Sequence, residues 1–254
     1  MKGLRKPRYR ARISTDPQDI LRAQKLRYLT FIAGRDTAAS DSRASGLDMD
    51  AFDAICRHVL VEEVRTGRLV CCFRFLPLAN GHEVDRSYSA QYYNLAALQA
   101  IDAPMVEMGR FCIDPDYRDP DILRVAWAAM TRYVDENGVE LLFGCSSFHG
   151  TEAAQYYDAF ALLAERHLAP KRLLPRVKAP RVFRFARRLK LRKPDLKLAL
   201  KRMPPLLRAY LGMGGWVSDH AVIDKDLNTL HVFTGVEIKS VPSRRARRLR
   251  SLAT

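Results

Sequence analysis

Two charged residues interrupt an apolar stretch of strand length at residues 105–113. The stretch carries Glu107 and Arg110 and ends at Asp114-Pro115. A carboxylate and a guanidinium in apolar surroundings can transfer a proton and bind an anion, or they can form a buried ion pair. Because strand side chains alternate between faces, the two point the same way only if the strand bulges between them. These residues therefore indicate either a functional site or a structural ion pair.

Helices and strands alternate around this stretch. The hydrophobic spacing predicts helices over 18–31, 94–101, 121–137 and 151–167, the third of them closed by Gly138. A hairpin is expected from strands 58–65 and 68–76, and further strands over 139–145, 216–224 and 229–238. Residues 1–12 are expected to be a mobile basic end, or to include an edge strand at 9–13. Residues 34–47 are expected to be a long loop and 146–150 a turn. The two β-α units, 105–137 and 139–167, predict locally parallel strands, so the fold class is α/β or α+β with mixed strand directions.

The composition predicts a folded and strongly basic protein. The 254 residues are 48% hydrophobic and carry a formal net charge of +15, which fits one domain spanning 1–254. The charge is concentrated: residues 171–208 contain 15 Lys or Arg and one acid, Asp195, and the tail at 241–254 is also basic. Such a balance predicts an acidic partner, which could be nucleic acid, an anionic membrane surface or an acidic protein.

The basic segment at 171–208 has an apolar pattern of its own. Residues 181–193 place Val182, Phe185, Ala186 and Leu189 on one helical face, with Arg or Lys elsewhere. We therefore expect a basic, amphipathic helical insertion, which can be a plain solvated face or can lie on anionic lipid. Nucleic acid is not expected, because aromatic residues are not interleaved with the basic ones as a stacking platform requires.

The cysteines and the lengths of the apolar runs indicate in which cellular compartment the protein is expected. The five cysteines are an odd number in mostly apolar surroundings, which predicts buried thiols in a reducing compartment. No CxxC pair occurs, so no zinc site is expected. We find neither the apolar core of a signal peptide nor a run of about 18 apolar residues. We expect a cytoplasmic protein whose membrane contact, if it has one, is peripheral and on the inner face of the cytoplasmic membrane.

Several short motifs occur in an order that resembles GNAT acyltransferases. In chain order they are Leu26-Arg27-Tyr28 with Phe31, Asp48-x-Asp50-x-Phe52-Asp53, Cys56-x-His58, Arg74-Phe75-Leu76, Glu107-Met108-Gly109-Arg110, Gly144-Cys145-Ser146-Ser147-Phe148-x-Gly150-Thr151, Pro204-Pro205-Leu206-Leu207-Arg208-Ala209-Tyr210, Ala221-Val222-Ile223-Asp224 and Asn228-Thr229. The match is closer to one branch, the L-ornithine Nα-acyltransferases of ornithine-lipid biosynthesis, which are related to the acyl-homoserine-lactone synthases. The resemblance covers about residues 12–238.

The resemblance implies both a fold and a set of site residues. The fold is a GNAT-like mixed, mostly antiparallel sheet, with splayed central parallel strands and flanking helices. It carries a bulge on the strand at 105–113, which we place at Gly109. The implied site residues fall into three groups: catalytic Glu107 and Arg110; substrate-binding Arg27, Phe31, Asp50, Asp53 and Arg74; and donor-binding Phe111, Cys112, Ile113 and Arg118.

The implied reaction transfers a 3-hydroxyacyl group from acyl carrier protein to the α-amine of L-ornithine, giving lyso-ornithine lipid. The alternatives are another amino-acid acceptor, lactone synthesis from S-adenosylmethionine, or a non-catalytic basic module that binds membrane or RNA. No cofactor is implied beyond the phosphopantetheine arm of the donor, and no metal. Residues 117–122 lack the glycines that hold pyrophosphate in acetyl-CoA enzymes and carry acids instead, which favours the carrier protein, whose approach a basic surface would steer.

This chemistry assigns roles to the charged residues. An amine attacks a thioester only when it is neutral, so a general base is useful, and Glu107 is the candidate. Backbone N–H groups at 111–113 could stabilise the oxyanion. An arginine suits the carboxylate of ornithine and Asp50 with Asp53 suits its ammonium, while the choice among the three arginines stays open. Simpler interpretations make Asp50 a helix cap, Asp53 a surface acid and His58 a structural residue.

Overall fold

The computed structural model describes residues 7–33 and 44–253. Most of the loop expected at 34–47 therefore lies outside the described residues. The chain divides into two compact units: residues 1–76, 108–137 and 246–254 form the first, and residues 77–107 and 138–245 form the second. The prediction of one domain over 1–254 stays a prediction.

The structure gives full bounds for ten strands and seven α-helices. The strands are β1 (Tyr9–Ser14), β2 (Arg57–Glu63), β3 (Leu69–Leu78), β4 (Tyr93–Asn94), β5 (Met105–Ile113), β6 (Leu141–His149), β7 (Arg176–Val177), β8 (Val182–Phe183), β9 (Trp216–Asp224) and β10 (Thr229–Glu237). The helices are α1 (Pro17–Phe31), α2 (Pro120–Glu136), α3 (Tyr157–Arg166), α4 (Phe185–Arg188), α5 (Leu196–Arg202), α6 (Pro205–Leu211) and α7 (Ser243–Ala253).

The first unit is built on an antiparallel meander. Strand β1 pairs with β2 along its whole length, β2 and β3 form the expected hairpin, and β5 follows β3 in the strand order. The hairpin turns at Gly67, whose φ of 69° is a left-handed conformation that glycine adopts without a steric penalty. Residues 9–13 are thus an edge strand, which was one of the two expectations.

The second unit contains the parallel pair. Residues 105–107 of β5 run parallel to residues 141–143 of β6, and this parallel ladder covers only those three pairs. Strand β6 then pairs antiparallel with β10, which pairs with β9, and β9 pairs with β8. The mixed, mostly antiparallel sheet with a short central parallel pair confirms the expected fold class.

The main helices begin and end where the local sequence directs them. The carboxylate of Asp16 accepts a hydrogen bond from the Gln18 backbone N–H at 2.7 Å, with Pro17 in the first turn of α1. Asp119 caps α2 in the same way, and Gly138 follows this helix with a φ of 60°. Both helices confirm the boundaries expected from the sequence.

Strand β5 changes course one residue later than expected. Gly109 has no left-handed φ, and a Cβ built on it would meet nothing within 4 Å. Arg110 has a φ of 55°, which is rare for a residue with a Cβ. The irregularity that the sequence required is therefore present, but its placement at Gly109 was wrong.

Three expectations in the second unit were wrong in their boundaries. Strand β6 continues to His149 through the turn expected at 146–150, because its pairing with β10 runs on to Thr229. The helix expected over 151–167 is a 3-10 turn at Ala153–Tyr156 followed by α3, and Thr151 does not cap it. The helix expected over 94–101 is a single 3-10 turn, Ala96–Leu98, because Tyr93 and Asn94 pair with β7.

The amphipathic helix expected over 181–193 was also wrong. Residues 182–183 form a strand paired with β9, and only one helical turn, α4, follows. The reason lies in tertiary packing, because the ring of Phe185 stacks on Phe160 of α3 at 5.1 Å and Phe183 packs on the same ring at 5.5 Å. Together with Leu189, these side chains are buried in the core of the second unit, so this apolar face is not open to lipid.

Within residues 7–33 and 44–253, no helix has the length and apolar character needed to cross a bilayer.

Candidate active site

Six charged residues of the first unit form one hydrogen-bonded cluster, here called the arginine–aspartate cluster. Its arginines come from three different elements, Arg27 from α1, Arg74 from β3 and Arg110 from β5. Its carboxylates come from one short segment and are Asp48, Asp50 and Asp53. Three positive and three negative charges make the cluster neutral, as buried charges require.

Arg27 lies at the centre of the cluster and is 1% exposed. Its Nη1 and Nη2 donate to the two carboxylate oxygens of Asp53 at 2.7 and 3.0 Å. Its Nε donates to Asp48 Oδ2 at 2.8 Å, and its Nη2 also donates to the Asp48 carbonyl oxygen. Helix α1 is thereby tied to the 48–53 segment by a bidentate, charge-assisted contact.

Arg74 connects the buried and the accessible parts of the cluster. Its Nη1 donates to Asp53 Oδ1 at 2.6 Å, and its Nη1 and Nη2 donate to the two oxygens of Asp50 at 2.5 and 2.6 Å. Gln24 adds a hydrogen bond to Asp53 Oδ2 at 2.9 Å. Asp53 is thus surrounded by donors and buried, so its interpretation as a surface acid was wrong.

Arg110 and Asp50 are the accessible members of the cluster. Their side chains are 15% and 24% exposed, whereas the other four are between 1% and 8% exposed. Arg110 Nη2 donates to Asp50 Oδ2 at 3.2 Å, and its Nε lies 3.2 Å from Asp48 Oδ2. A solute reaching this cluster therefore meets one guanidinium and one carboxylate side by side.

The left-handed backbone of Arg110 fits a functional position. A residue with a Cβ in this region carries strain of about 1–3 kcal/mol, which persists only where the surrounding structure imposes it. The contacts of Arg110 with Asp48 and Asp50 offset that strain. The kink thus supplies the irregularity that turns the Arg110 side chain toward the cluster.

The ionisation of the carboxylates follows from these contacts. Burial raises the pKa of Asp53, but the hydrogen bonds and charge of Arg27 outweigh burial and hold that pKa well below its usual range. Burial acts the same way on Asp50, and the hydrogen bonds of Arg74 with the charges of Arg74 and Arg110 bring its pKa below the ordinary value. Both groups are charged at neutral pH.

Asp50 combines two roles that the sequence presented as alternatives. Its Oδ1 accepts the backbone N–H of Phe52 at 2.9 Å and so caps the 3-10 helix Ala51–Ala54. The same carboxylate binds two arginines. The capping interaction orients a carboxylate that also faces the accessible part of the cluster.

Glu107 belongs to the second unit and binds a turn of the main chain. Its two carboxylate oxygens accept the backbone N–H groups of Tyr88 and Ser89, each at 2.7 Å. These amides begin the 3-10 helix Ser89–Gln91, and the Glu107 side chain is buried. These two hydrogen bonds fix the orientation of the Glu107 carboxylate.

The remaining predicted site residues lie outside the arginine–aspartate cluster. Phe31 packs against the apolar group around Leu26, and Phe111 stacks on Phe73 with ring centroids 5.3 Å apart. Cys112 is buried with its Sγ 3.5 Å from that of Cys72, so any role in donor binding falls to its backbone. Ile113 is half-buried and Arg118 is exposed.

Sequence reasoning did not assign two residues to the site: Asp48, a member of the cluster, and Gln24, which donates to Asp53. Asp48 stands two residues before Asp50 in the same motif, which was the available signal. Gln24 stands three residues before Arg27 on the same face of α1. His58 has the expected structural role, since its Nε2 lies 3.0 Å from the Asp53 carbonyl oxygen and burial lowers its pKa.

Protein carboxylates occupy the turn between β5 and α2. Asp119 accepts the N–H of Asp121 at 2.9 Å at the start of the helix and also binds Arg8 Nη1 at 2.7 Å. Asp114 accepts from Arg68 Nη2 at 2.8 Å. The helix N-terminus, which binds phosphate in many proteins, is here satisfied by an acid of the chain itself.

Comparisons with known proteins point to acyl transfer. The family model described as the acetyltransferase (GNAT) domain matches residues 26–128. The chain is 34% identical over 230 residues to the L-ornithine N(alpha)-acyltransferase of Rhodobacter capsulatus, with 88% of each chain covered. It is 28% identical over 245 residues to the enzyme of that name from Brucella abortus, with 92% of this chain and 85% of the relative covered.

A solved structure supports the fold. The CoA-dependent acyl-homoserine lactone synthase BjaI, solved with SAM and isopentyl-CoA, has a TM-score of 0.50 and 14% identity. The likeness covers 96% of this chain and 87% of that one. At this identity the likeness shows the fold alone.

The cluster predicts acid sensitivity of the folded state. Because the pKa values of Asp50 and Asp53 are lower in the folded chain than in the unfolded one, their stabilising contribution is complete above about pH 4 and is lost as the pH falls further. Asp53→Asn removes one of the two buried carboxylates that neutralise Arg27 and should cost about 3 kcal/mol at neutral pH, or roughly 6–12 °C in Tm. Thermal unfolding followed by circular dichroism between pH 7 and acid conditions measures both effects.

Asp116→Asn is the matched control for this prediction. Asp116 belongs to the same unit and pairs with one arginine, but its side chain is 74% exposed. We expect this variant to unfold within a few degrees of the wild type, at an unchanged acid slope. Equal losses for the two variants would contradict the assigned role of the cluster.

Proposed function

Because this chain belongs to the L-ornithine Nα-acyltransferases of the GNAT superfamily, we propose that it transfers a 3-hydroxyacyl group from acyl carrier protein to the α-amine of L-ornithine. The product is lyso-ornithine lipid. The observation that carries the proposal is the accessible pair of Arg110 and Asp50 on a buried, neutral cluster.

The accessible pair matches the two charged ends of the acceptor. Ornithine offers a carboxylate, for which the planar fork of Arg110 is suited, and a side-chain ammonium, for which Asp50 is suited. On binding, the carboxylate of ornithine would contact Arg110 and its ammonium would contact Asp50. Both contacts would partly replace the existing one between Arg110 and Asp50. The four buried members hold this pair in place, and the charge of the cluster remains balanced.

Burial discriminates among the three arginines proposed for the acceptor. Arg27 is 1% exposed and Arg74 is 4% exposed, and both donate to carboxylates of the cluster. Either would have to leave a buried carboxylate unpaired in order to bind substrate, which is costly. We therefore assign the carboxylate of the acceptor to Arg110 and a supporting role to the other two.

The reaction itself needs a neutral amine and a stabilised oxyanion. The α-amine loses a proton to Glu107, directly or through one water, and its lone pair attacks the thioester carbon. A C–N bond forms, the C–S bond of the tetrahedral intermediate breaks, and the thiolate of the carrier protein takes up a proton. Backbone N–H groups of 111–113 are proposed to stabilise the oxyanion, as in the sequence-based prediction.

The turn before α2 favours a carrier protein as the donor. The pyrophosphate of coenzyme A would meet the carboxylate of Asp119, which already caps the helix, and the neighbouring Asp121. A phosphopantetheine arm brings only one phosphate and leaves the rest of the donor to be recognised at the protein surface. A net charge of +15 favours the approach of an acidic carrier protein in the cytoplasm.

The first test is the reaction itself. We expect release of free thiol and formation of acyl-ornithine, detected by mass spectrometry, when the protein meets 3-hydroxyacyl carrier protein and ornithine. The kcat/KM for this donor should exceed that for the matching acyl-CoA about 100-fold, because charge steering and the acidic turn act together. Equal use of acyl-CoA would contradict the donor assignment while leaving the acceptor assignment intact.

Asp50→Asn tests the recognition of the acceptor. Loss of a charged hydrogen bond to the side-chain ammonium should lower kcat/KM for ornithine about 10-fold or more. The same variant should discriminate less between ornithine and 2-aminopentanoic acid, which has the same carbon chain but no side-chain amine. The ratio of kcat/KM for ornithine to kcat/KM for 2-aminopentanoic acid is independent of any general loss of activity. An unchanged ratio would show that Asp50 does not bind the ammonium.

Glu107→Gln tests the proposed base. We expect kcat to fall about 10²–10⁴-fold at neutral pH. The remaining rate should rise with pH only as the α-amine of ornithine loses its proton. A purely positional role, through the turn at Tyr88 and Ser89, would scale the pH profile without changing its shape. Thiol release at the wild-type rate would exclude Glu107 as the base.

A further inference from the structure

Exposed leucines are concentrated in one short segment of the second unit. Of the ten large apolar side chains that are exposed in the described residues, four lie within 191–200. They are Leu191, Leu196, Leu198 and Leu200, here called the leucine surface. Single exposed apolar residues are ordinary, but such a concentration marks an interaction site.

Leu191 is held in its exposed position by the fold. It is 95% exposed at the tip of a turn. On one side, Leu189 is buried, and its carbonyl oxygen accepts the N–H of Arg192 at 2.9 Å. On the other side, Arg192 Nη2 donates to both oxygens of Asp158 at 3.1 Å. The turn is therefore anchored at both ends, and the leucine is presented to solvent by a structured loop.

Helix α5 continues the leucine surface with leucines and lysines on its outer side. Ala199 and Met203 are buried and mark the inner side. At 100° per residue, Lys197 and Lys201 occupy the centre of the outer side, Leu198 and Leu200 lie on its two borders, and Leu196 lies between Leu200 and Met203. An ordinary surface helix has polar residues at these border positions.

The charges around the leucine surface are almost all positive. Six basic side chains in 190–202 are exposed: Lys190, Arg192, Lys193, Lys197, Lys201 and Arg202. The only acid in this range is Asp195, whose carboxylate accepts the N–H of Leu198 at 3.0 Å and caps α5. Exposed apolar side chains surrounded by basic ones favour binding at the boundary between anionic head groups and acyl chains.

We propose that the leucine surface docks the protein on an anionic lipid bilayer. The leucines enter the acyl boundary, while the lysines and Arg202 stay at the lipid phosphates. This surface lies beside the helical face first expected at 181–193, whose apolar side chains are buried in the core. The inference does not rest on acyl transfer, although an enzyme with a lipid product would release it directly into the membrane.

Two other occupants fit the surface less well. A second copy of the chain, packed through the same surface, would bring two sets of six positive charges together, with Asp195 as the only acid in 190–202 of each copy. An acidic carrier protein would match the charge, but a leucine that is 95% exposed at an anchored tip matches an apolar medium better. Both remain outcomes that the experiment can detect.

The test measures binding of the full-length protein to vesicles. Sedimentation with vesicles of phosphatidylcholine mixed with an equal amount of phosphatidylglycerol should capture the wild type, and pure phosphatidylcholine should capture much less. Leu191→Ser combined with Leu200→Ser should weaken binding about 10-fold or more at any salt concentration. Lys197→Gln combined with Lys201→Gln should weaken it about fivefold per charge at low salt, and the difference should vanish at high salt.

Matched variants elsewhere serve as controls. Leu29→Ser removes another exposed leucine, 47% exposed on α1, and Arg244→Gln with Arg247→Gln removes two exposed charges from α7. Neither should change vesicle binding by more than about twofold. Acyl transfer between soluble substrates should be unchanged in all these variants, so vesicle binding and the proposed reaction can fail independently.

Three results would overturn the proposal. The first is vesicle binding by the Leu191 and Leu200 variant equal to that of the wild type, or an equal loss in the Leu29 variant. The second is unchanged vesicle binding with reduced transfer from soluble carrier protein, which would make this a carrier-docking surface. The third is a wild-type dimer in analytical ultracentrifugation that the leucine variant dissociates, which would assign the surface to a second copy.

Discussion

The guanidinium of Arg27, buried almost completely inside the first unit, is the constraint on which the candidate site depends. A charge removed from water must be neutralised and hydrogen-bonded, and Asp48 and Asp53 do both. Because these acids come from one short segment and the arginine from α1, the same contact fixes the segment against the helix. Arg74 extends the contact to β3, so three separate parts of the chain are held by one set of charges.

A buried cluster of this kind determines what remains accessible. Arg27 and Asp53 donate or accept within the protein on all sides, whereas Arg110 and Asp50 retain exposed surface. The left-handed φ of Arg110 shows that the backbone adopts an unfavourable conformation at this point. Buried and accessible charges thus belong to one network, in which the buried members position the accessible ones.

Much of this arrangement could be predicted from local sequence. The caps at Asp16 and Asp119, the glycine turn at 67 and the apolar strands define elements whose boundaries depend on neighbouring residues, and these boundaries were confirmed. The charged motifs also supplied five of the six residues of the arginine–aspartate cluster, although not their mutual contacts. Asp48 and Gln24 lie close in sequence to predicted site residues, but their contacts with Arg27 and Asp53 depend on tertiary structure.

The sequence by itself determined the fold class, the charged residues of the site and the strongly basic character of 171–208. Only the tertiary structure decided which charges are buried, which of three arginines remains accessible, and which apolar residues of the basic segment face the core. The periodicity at 181–193 fits a helix, but pairing of 182–183 with β9 and stacking on Phe160 are long-range interactions that local spacing does not encode. Burial of Phe185 and exposure of Leu191, six residues apart, follow from those contacts and not from residue type.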